Sequence, residues 1–127
     1  MTDYVTTVEA LAIHADQIER YGGLAGVRDQ GLLEAPLFRP QTGYYPNLIE
    51  EAAALWESLS QNHPFVDGNK RTAFAITYTF LAINGARITA RASESETFLL
   101  NLYETGAFDF ARLSRWLRDN VAYDASE

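Results

Sequence analysis

The sequence predicts an all-α fold: a compact bundle of about six helices around one buried central helix. Three observations carry that expectation. Apolar residues recur at helical spacing in several segments, and most of those segments open on a capping residue. Between about 69 and 84 the chain is apolar almost all round, with Ala73, Phe74, Ala75, Ile76, Tyr78, Phe80, Leu81, Ala82 and Ile83. A helix without a polar face is a buried one.

The elements follow in order. Residues 6–20 read as the first helix, with Thr6 and Glu9 as a capping box and Val8, Leu11, Ala12, Ala15 and Ile18 at helical spacing. Gly22-Gly23 ends it. His14 lies near the apolar edge of this helix and reads as a packed histidine, with a site or partner contact as the other reading. Residues 21–47 hold Gly22, Gly23, Gly26, Gly31 and Gly43 with Pro36, Pro40 and Pro46, so they are turn-rich. A short helix over about 30–38, capped by Asp29, is expected within them. Residues 47–61 form a helix whose stripe is Leu48, Ala52, Leu55, Trp56 and Leu59, with Glu50, Glu51 and Glu57 read as a solvated face. A loop at 62–68 leads into the 69–84 helix, which Asn84-Gly85 stops. Residues 86–92 read as a short extended piece. Ser93 with Glu96 predicts a helix to about 104, burying Phe98, Leu99, Leu102 and Tyr103. Asp109 predicts a last helix to about 121, burying Phe110, Leu113, Trp116, Leu117 and Val121, with Arg112, Arg115 and Arg118 on its solvated side. The tail 122–127 is expected to fray.

Composition narrows the class. A chain of 127 residues that is 47% hydrophobic and 13% aromatic is expected to form one domain with a proper core. It has no cysteine, hence no disulfide framework and no thiolate metal site, which fits a reducing cytoplasm. No apolar run is long enough for a membrane span, and the start, Met1-Thr2-Asp3-Tyr4, does not read as a signal peptide. The net charge is −7. Nucleic acid is therefore not expected as a direct partner, since such binders carry a basic stripe.

Chemistry concentrates in His63-Pro64-Phe65-Val66-Asp67-Gly68-Asn69-Lys70-Arg71. Lys70 is the chain's only lysine, and His63 is one of two histidines. Gly68-Asn69 sits where loop turns into helix, so free N–H groups and the helix dipole make an anion site there. Lys70 and Arg71 add full charges, Arg71 with a fork suited to phosphate oxygens. Asp67 is a hard oxygen ligand beside that site, and Mg²⁺ bridging to a phosphate is the natural reading. Histidine exchanges a proton near neutrality, which suits His63 to a general base. Pro64 stiffens the loop and Phe65 anchors it in the core. Singly, each residue has an ordinary reading as a cap, an exposed first turn or a loop side chain. Together they describe a site that binds phosphate and moves a proton.

The stretch resembles the signature of the Fic/Doc (Fido) family, His-x-Phe-x-(Asp/Glu)-Gly-Asn-Gly-Arg-x-x-Arg. His63, Phe65, Asp67, Gly68, Asn69 and Arg71 match it; Lys70 and Phe74 depart from it. Both departures resemble the death-on-curing (Doc) branch, whose version runs Asn-Lys-Arg-Thr-Ala, as at 69–73. Tyr21-Gly22-Gly23, Gly26-Val27-Arg28-Asp29 and Gly31-Leu32-Leu33-Glu34 are also Doc-like, so the resemblance spans most of the chain.

That resemblance implies a Fido-fold toxin of a toxin–antitoxin system. His63 would be catalytic, Gly68, Asn69, Lys70 and Arg71 would hold the phosphates of ATP, and Asp67 would hold Mg²⁺. The target would be a protein hydroxyl. Fic enzymes with both arginines transfer AMP, whereas the Doc branch transfers the γ-phosphate to elongation factor Tu and arrests translation. Phe74 in place of the second arginine favours the γ-phosphate; AMP transfer is the alternative. The family also implies a flap near the site, for which residues 39–47 are the candidate, with Tyr44 and Tyr45 lining a groove or covering the core. Arg28 and Arg39 read as structural or solvated charges, the nucleotide being their other destination. An antitoxin whose disordered tail folds into a groove is implied as partner, since the chain shows no evident inhibitory Ser/Thr-x-x-x-Glu-Gly/Asn helix. A binding module without catalysis, holding a nucleotide or an antitoxin, is the rival reading.

Overall fold

Thr6 and Glu9 close the expected capping box: the Thr6 hydroxyl accepts from Glu9 N, and the Glu9 carboxylate accepts from Thr6 N. Helix α1 (Thr7–Tyr21) follows. The computed structural model describes residues 1–124. After α1 come α2 (Gly31–Phe38), a 3₁₀ turn (Arg39–Thr42), α3 (Leu48–Asn62), α4 (Asn69–Ile83), β1 (Ala86–Ile88), α5 (Ala92–Thr105), α6 (Phe110–Asn120) and β2 (Val121–Tyr123). Among the described residues, six helices and a two-stranded ribbon make an all-α fold, as expected.

The centre is shared differently from the sequence expectation. Helix α3 is the most enclosed element, with Ile49, Glu51 to Trp56, Leu59 and Ser60 all buried and α2, α4 and α6 packed around it. Trp56 is fully buried, with Phe74, Phe108 and Trp116 edge-on to its indole. Helix α4 buries Thr72, Ala73, Ile76, Thr77, Phe80 and Leu81, but Tyr78, Ala82 and Ile83 are exposed. Phe74, Ala75 and Tyr78 line an open groove.

Several local readings are corrected. In α1 the buried residues are Ala10 and His14, whereas Val8 is 77% exposed. Threonines and alanines blurred the stripe there. Glu51 is buried and accepts from the Tyr4 hydroxyl at 2.6 Å, so it is no solvated carboxylate. Glu57 pairs with Arg39 at 2.9 Å and accepts from Phe110 N, which ties α3 to the start of α6. Helix α5 begins at Ala92: Glu94, not Glu96, folds back to accept from Arg91 N. Within it Leu102 is buried, while Phe98, Leu99 and Tyr103 are half-buried. Val121 belongs to β2. The end of the chain does not fray at 122 and 123, because β2 pairs antiparallel with β1, Ala86 opposite Tyr123 and Ile88 opposite Val121. Residues 125–127 lie outside the described residues. Among the described residues no helix is long and apolar enough to cross a membrane.

Asp109 caps α6 as the sequence predicts, accepting from Arg112 N at 2.9 Å and pairing with the Arg112 guanidinium. The Arg112 amide and side chain hold its carboxyl below the usual aspartate range. A depressed carboxyl stabilises the fold above its unfolded pKa and loses that contribution as pH falls through its folded value. Asp109→Ala is therefore expected to cost about 1 kcal/mol at neutral pH and less in acid. Asp109→Asn, a neutral cap, should keep most of that stability and flatten this part of the acid limb. Urea melts at pH 7 and in mild acid read both.

Candidate functional site

Helix α3 ends at His63, which caps it in the left-handed conformation, φ 48° and ψ 60°. Among the described residues it is the one non-glycine with positive φ. That geometry costs roughly 1–2 kcal/mol for a residue with a Cβ, and its surroundings impose it. Arg28 clamps the helix end, its Nε donating to His63 O at 2.8 Å and its Nη2 to Asn62 O at 2.7 Å. The amides of Arg28 and Asp29 both donate to Pro64 O. Arg28 is thus structural, and the imidazole of His63 is left exposed.

The loop between α3 and α4 is held from three sides. Phe65 is buried at its centre. The Asn69 side chain reaches back to it, Oδ1 accepting from Phe65 N and Nδ2 donating to Phe65 O, each at 2.9 Å. Asn69 therefore organises the loop with its side chain, while its backbone forms the first residue of α4. Residues 26 and 27 pair with 65 and 66 as a short antiparallel bridge, with Val66 N donating to Gly26 O at 3.0 Å. The segment lying along the site loop is thus 24–29, which corrects the assignment of the flap to 39–47. That stretch is tied to the middle of α3 instead: Arg39 donates to Tyr45, Ala54 O, Glu57 and Ser58. Tyr45 packs on Phe110, and Tyr44 is exposed.

Gly68 opens α4 at φ 73°. That conformation calls for glycine, and a Cβ there would also be tight, 3.1 Å from Ile18 Cδ1 and 3.2 Å from Arg71 Nη2. The first internal bond of α4 is Thr72 N to Gly68 O, 3.0 Å. The amides of Asn69, Lys70 and Arg71 precede it and form the positive start of the helix.

Asp67 stands beside this start. Its Oδ1 accepts from Gly68 N at 2.8 Å and its Oδ2 from Leu24 N at 3.0 Å. The Leu24 and Gly68 amides, then the nearby Arg71, hold its carboxyl below the ordinary aspartate range, so it stays ionised. Gly23 makes room for it: a Cβ there would lie 2.7 Å from Asp67 Oδ2. With one N–H per oxygen, the carboxylate keeps lone pairs for a cation. Among the described residues no cluster of three acidic or histidine donors exists. A single ionised carboxylate beside a helix start could hold a hard cation such as Mg²⁺.

The two cations diverge, as adjacent helical residues must. Arg71 lies over the Tyr21 ring and donates to Gly22 O at 2.9 Å. Lys70 leans the other way, its Nζ 4.3 Å from the centre of the Tyr103 ring. Both border a groove of about 1170 Å³ between α1, α4 and α5, floored by Ile13, Phe74, Tyr78, Leu99, Leu100 and Tyr103. Phe74, edge-on to Trp56, offers that groove no charge.

The sequence read Arg28 as structural or solvated and His14 as packed, with a site contact as its other reading, but it did not show the Leu24 amide that meets Asp67 or the space at Gly23. The Gly22-Gly23 pair after α1 was the signal pointing to those two.

The Fic/DOC family model matches residues 4–81. The chain is 50% identical over 95 residues, 71% of each chain, to "Toxin Doc" of Mycolicibacterium smegmatis. It is 35% identical over 89 residues to "Protein kinase doc" of Escherichia phage P1, covering 67% of this chain and 71% of the relative.

Proposed function

Because this chain belongs to the Fic/DOC family, in its Doc branch, we propose that it is a Doc-like toxin. It transfers a phosphate-containing group from ATP to a hydroxyl of a protein target. The group is the γ-phosphate, the target elongation factor Tu, and the result a block of translation in the cytoplasm. The observation that carries this reading is the joining of an exposed, left-handed His63 to a glycine-opened helix start with an ionised carboxylate beside it, all within one loop.

In this reading the phosphates lie on the amides of Asn69, Lys70 and Arg71; Gly68, whose own N–H is taken by Asp67 Oδ1, serves them by letting the backbone turn into the helix start. Bound Mg²⁺ would neutralise charge on them, and Asp67 is the residue that would hold it. His63 takes the proton of the target hydroxyl as its oxygen bonds to the γ-phosphorus. The bond from that phosphorus to the bridging oxygen breaks, and ADP leaves with the electron pair. Lys70 and Arg71 are close enough to the helix start to swing onto the developing charge. Phe74 favours the γ-phosphate, since an apolar ring cannot hold the distal phosphates in the pose that AMP transfer needs.

The groove beside Lys70 and Arg71 is the place we assign to the antitoxin. It is apolar and open, and an amphipathic segment that folds on binding would fill it. An occupant that fills it would lie against both cations.

The reading is tested on a bacterial lysate with ATP labelled at either the α- or the γ-phosphate. Label only from the γ-position, dependent on His63 and on a band the size of an elongation factor, is the expected result. Label from the α-position means AMP transfer. No His63-dependent label from either overturns the transferase and leaves the binding module.

A further inference from the structure

Two residues of α1, one turn apart, face the site loop: His14 and Ile18, the latter already seen against Gly68. His14 is only 4% exposed. Its ring is parallel to that of Phe65, with centroids 3.9 Å apart and planes within 3°. Its Nε2 lies 2.8 Å from the Asp67 carbonyl oxygen. A carbonyl oxygen only accepts, so Nε2 carries a hydrogen and donates it. That carbonyl precedes α4 and stands outside its ladder, whose first bond uses Gly68 O.

The ring therefore does two things at once. It stacks on the loop's apolar anchor, and it fixes the plane of the Asp67–Gly68 peptide. That peptide carries the Gly68 N–H that holds Asp67 Oδ1, and it leads into the first amides of α4. Phenylalanine at 14 would stack but leave the carbonyl without its donor. Glutamine would donate but not stack. Histidine supplies both from a rigid helix.

We propose that His14 is a positioning residue of the transfer site, aiming the Asp67 carboxylate and the helix start at the phosphates. The role in transfer rests on the function proposed above; the clamp itself does not.

Two measurements on the full chain test it. In a ¹⁵N-labelled sample the His14 ring should show its hydrogen on Nε2, and a ring protonated on Nδ1 with Nε2 bare overturns the clamp. In the γ-label assay His14→Phe should lower kcat by about 10–100-fold, with KM for ATP within about threefold and melting within a few degrees of the unaltered chain. His14→Gln should recover part of that kcat. A His14→Phe variant at full kcat, or an equal loss in both variants, overturns the positioning role. Should the unaltered chain transfer nothing, the transferase reading falls on its own account. The backbone amide signals of Gly68 to Arg71 then decide: displaced by His14→Phe, the clamp stands; undisplaced, it falls.

Discussion

Replacing His63 with alanine is expected to lower phosphate transfer by about 10²–10⁴-fold, the range a positioned general base contributes, while the fold survives. The two halves of that expectation come from one geometry. The His63 ring is exposed, so truncation opens no cavity. Its backbone is left-handed, a cost that alanine would share. Asparagine tolerates that conformation better and is no base, so His63→Asn should be at least as stable as the unaltered chain and equally inactive. A more stable but dead variant separates function from folding. A residue unfavourable to its own helix cap is what a site retained for chemistry looks like. Thermal melts and the γ-label assay, run side by side on both variants, check this. Transfer by either variant at the unaltered rate would remove His63 from the role of base.

The sequence was most legible where one residue type had one physical use. Thr6, Asp109 and Gly68 announce their caps and turns, and the start of α4 at Gly68-Asn69 lies where those two residues put it. It was least legible where a side chain serves a distant backbone group. Arg28 reaches across to Asn62 O and His63 O, and Leu24 N to Asp67, from positions 34 to 43 residues away. No periodicity encodes such pairs. The same holds for Glu51 and Glu57, which helical spacing assigns to solvent until Tyr4 and the start of α6 supply their partners. Helix α4 misled for another reason: Phe74, Ala75 and Tyr78 line an open groove and Ala82 and Ile83 face outward, and composition cannot distinguish a buried face from an open apolar one.

The carboxylate of Asp67 shows how much rests on one such distant contact. Asp67→Asn changes almost no volume, yet it should lower transfer by on the order of a hundredfold or more. The reason is a mismatch of donors. Leu24 N and Gly68 N each aim a hydrogen at a different oxygen of Asp67. Asparagine has one oxygen, so its NH₂ must face one of the two amides, donor against donor. The segment at Leu24 or the start of α4 then shifts, and the charge that would hold Mg²⁺ is lost as well. Raising Mg²⁺ should therefore restore little, because the scaffold as well as the ligand has changed. Asp67→Glu separates the two effects. It restores the charge, but its extra methylene group pushes towards the backbone at Gly23, already too close for any Cβ. Glutamate should recover some Mg²⁺ dependence and stay at least about tenfold below the unaltered chain, since misplacement alone carries that cost. Amide exchange at Leu24 and Gly68 reports the scaffold directly, and should quicken in Asp67→Asn more than in Asp67→Glu. Transfer by Asp67→Asn within about threefold of the unaltered chain at ordinary Mg²⁺ would mean that this carboxylate neither builds the site nor serves it.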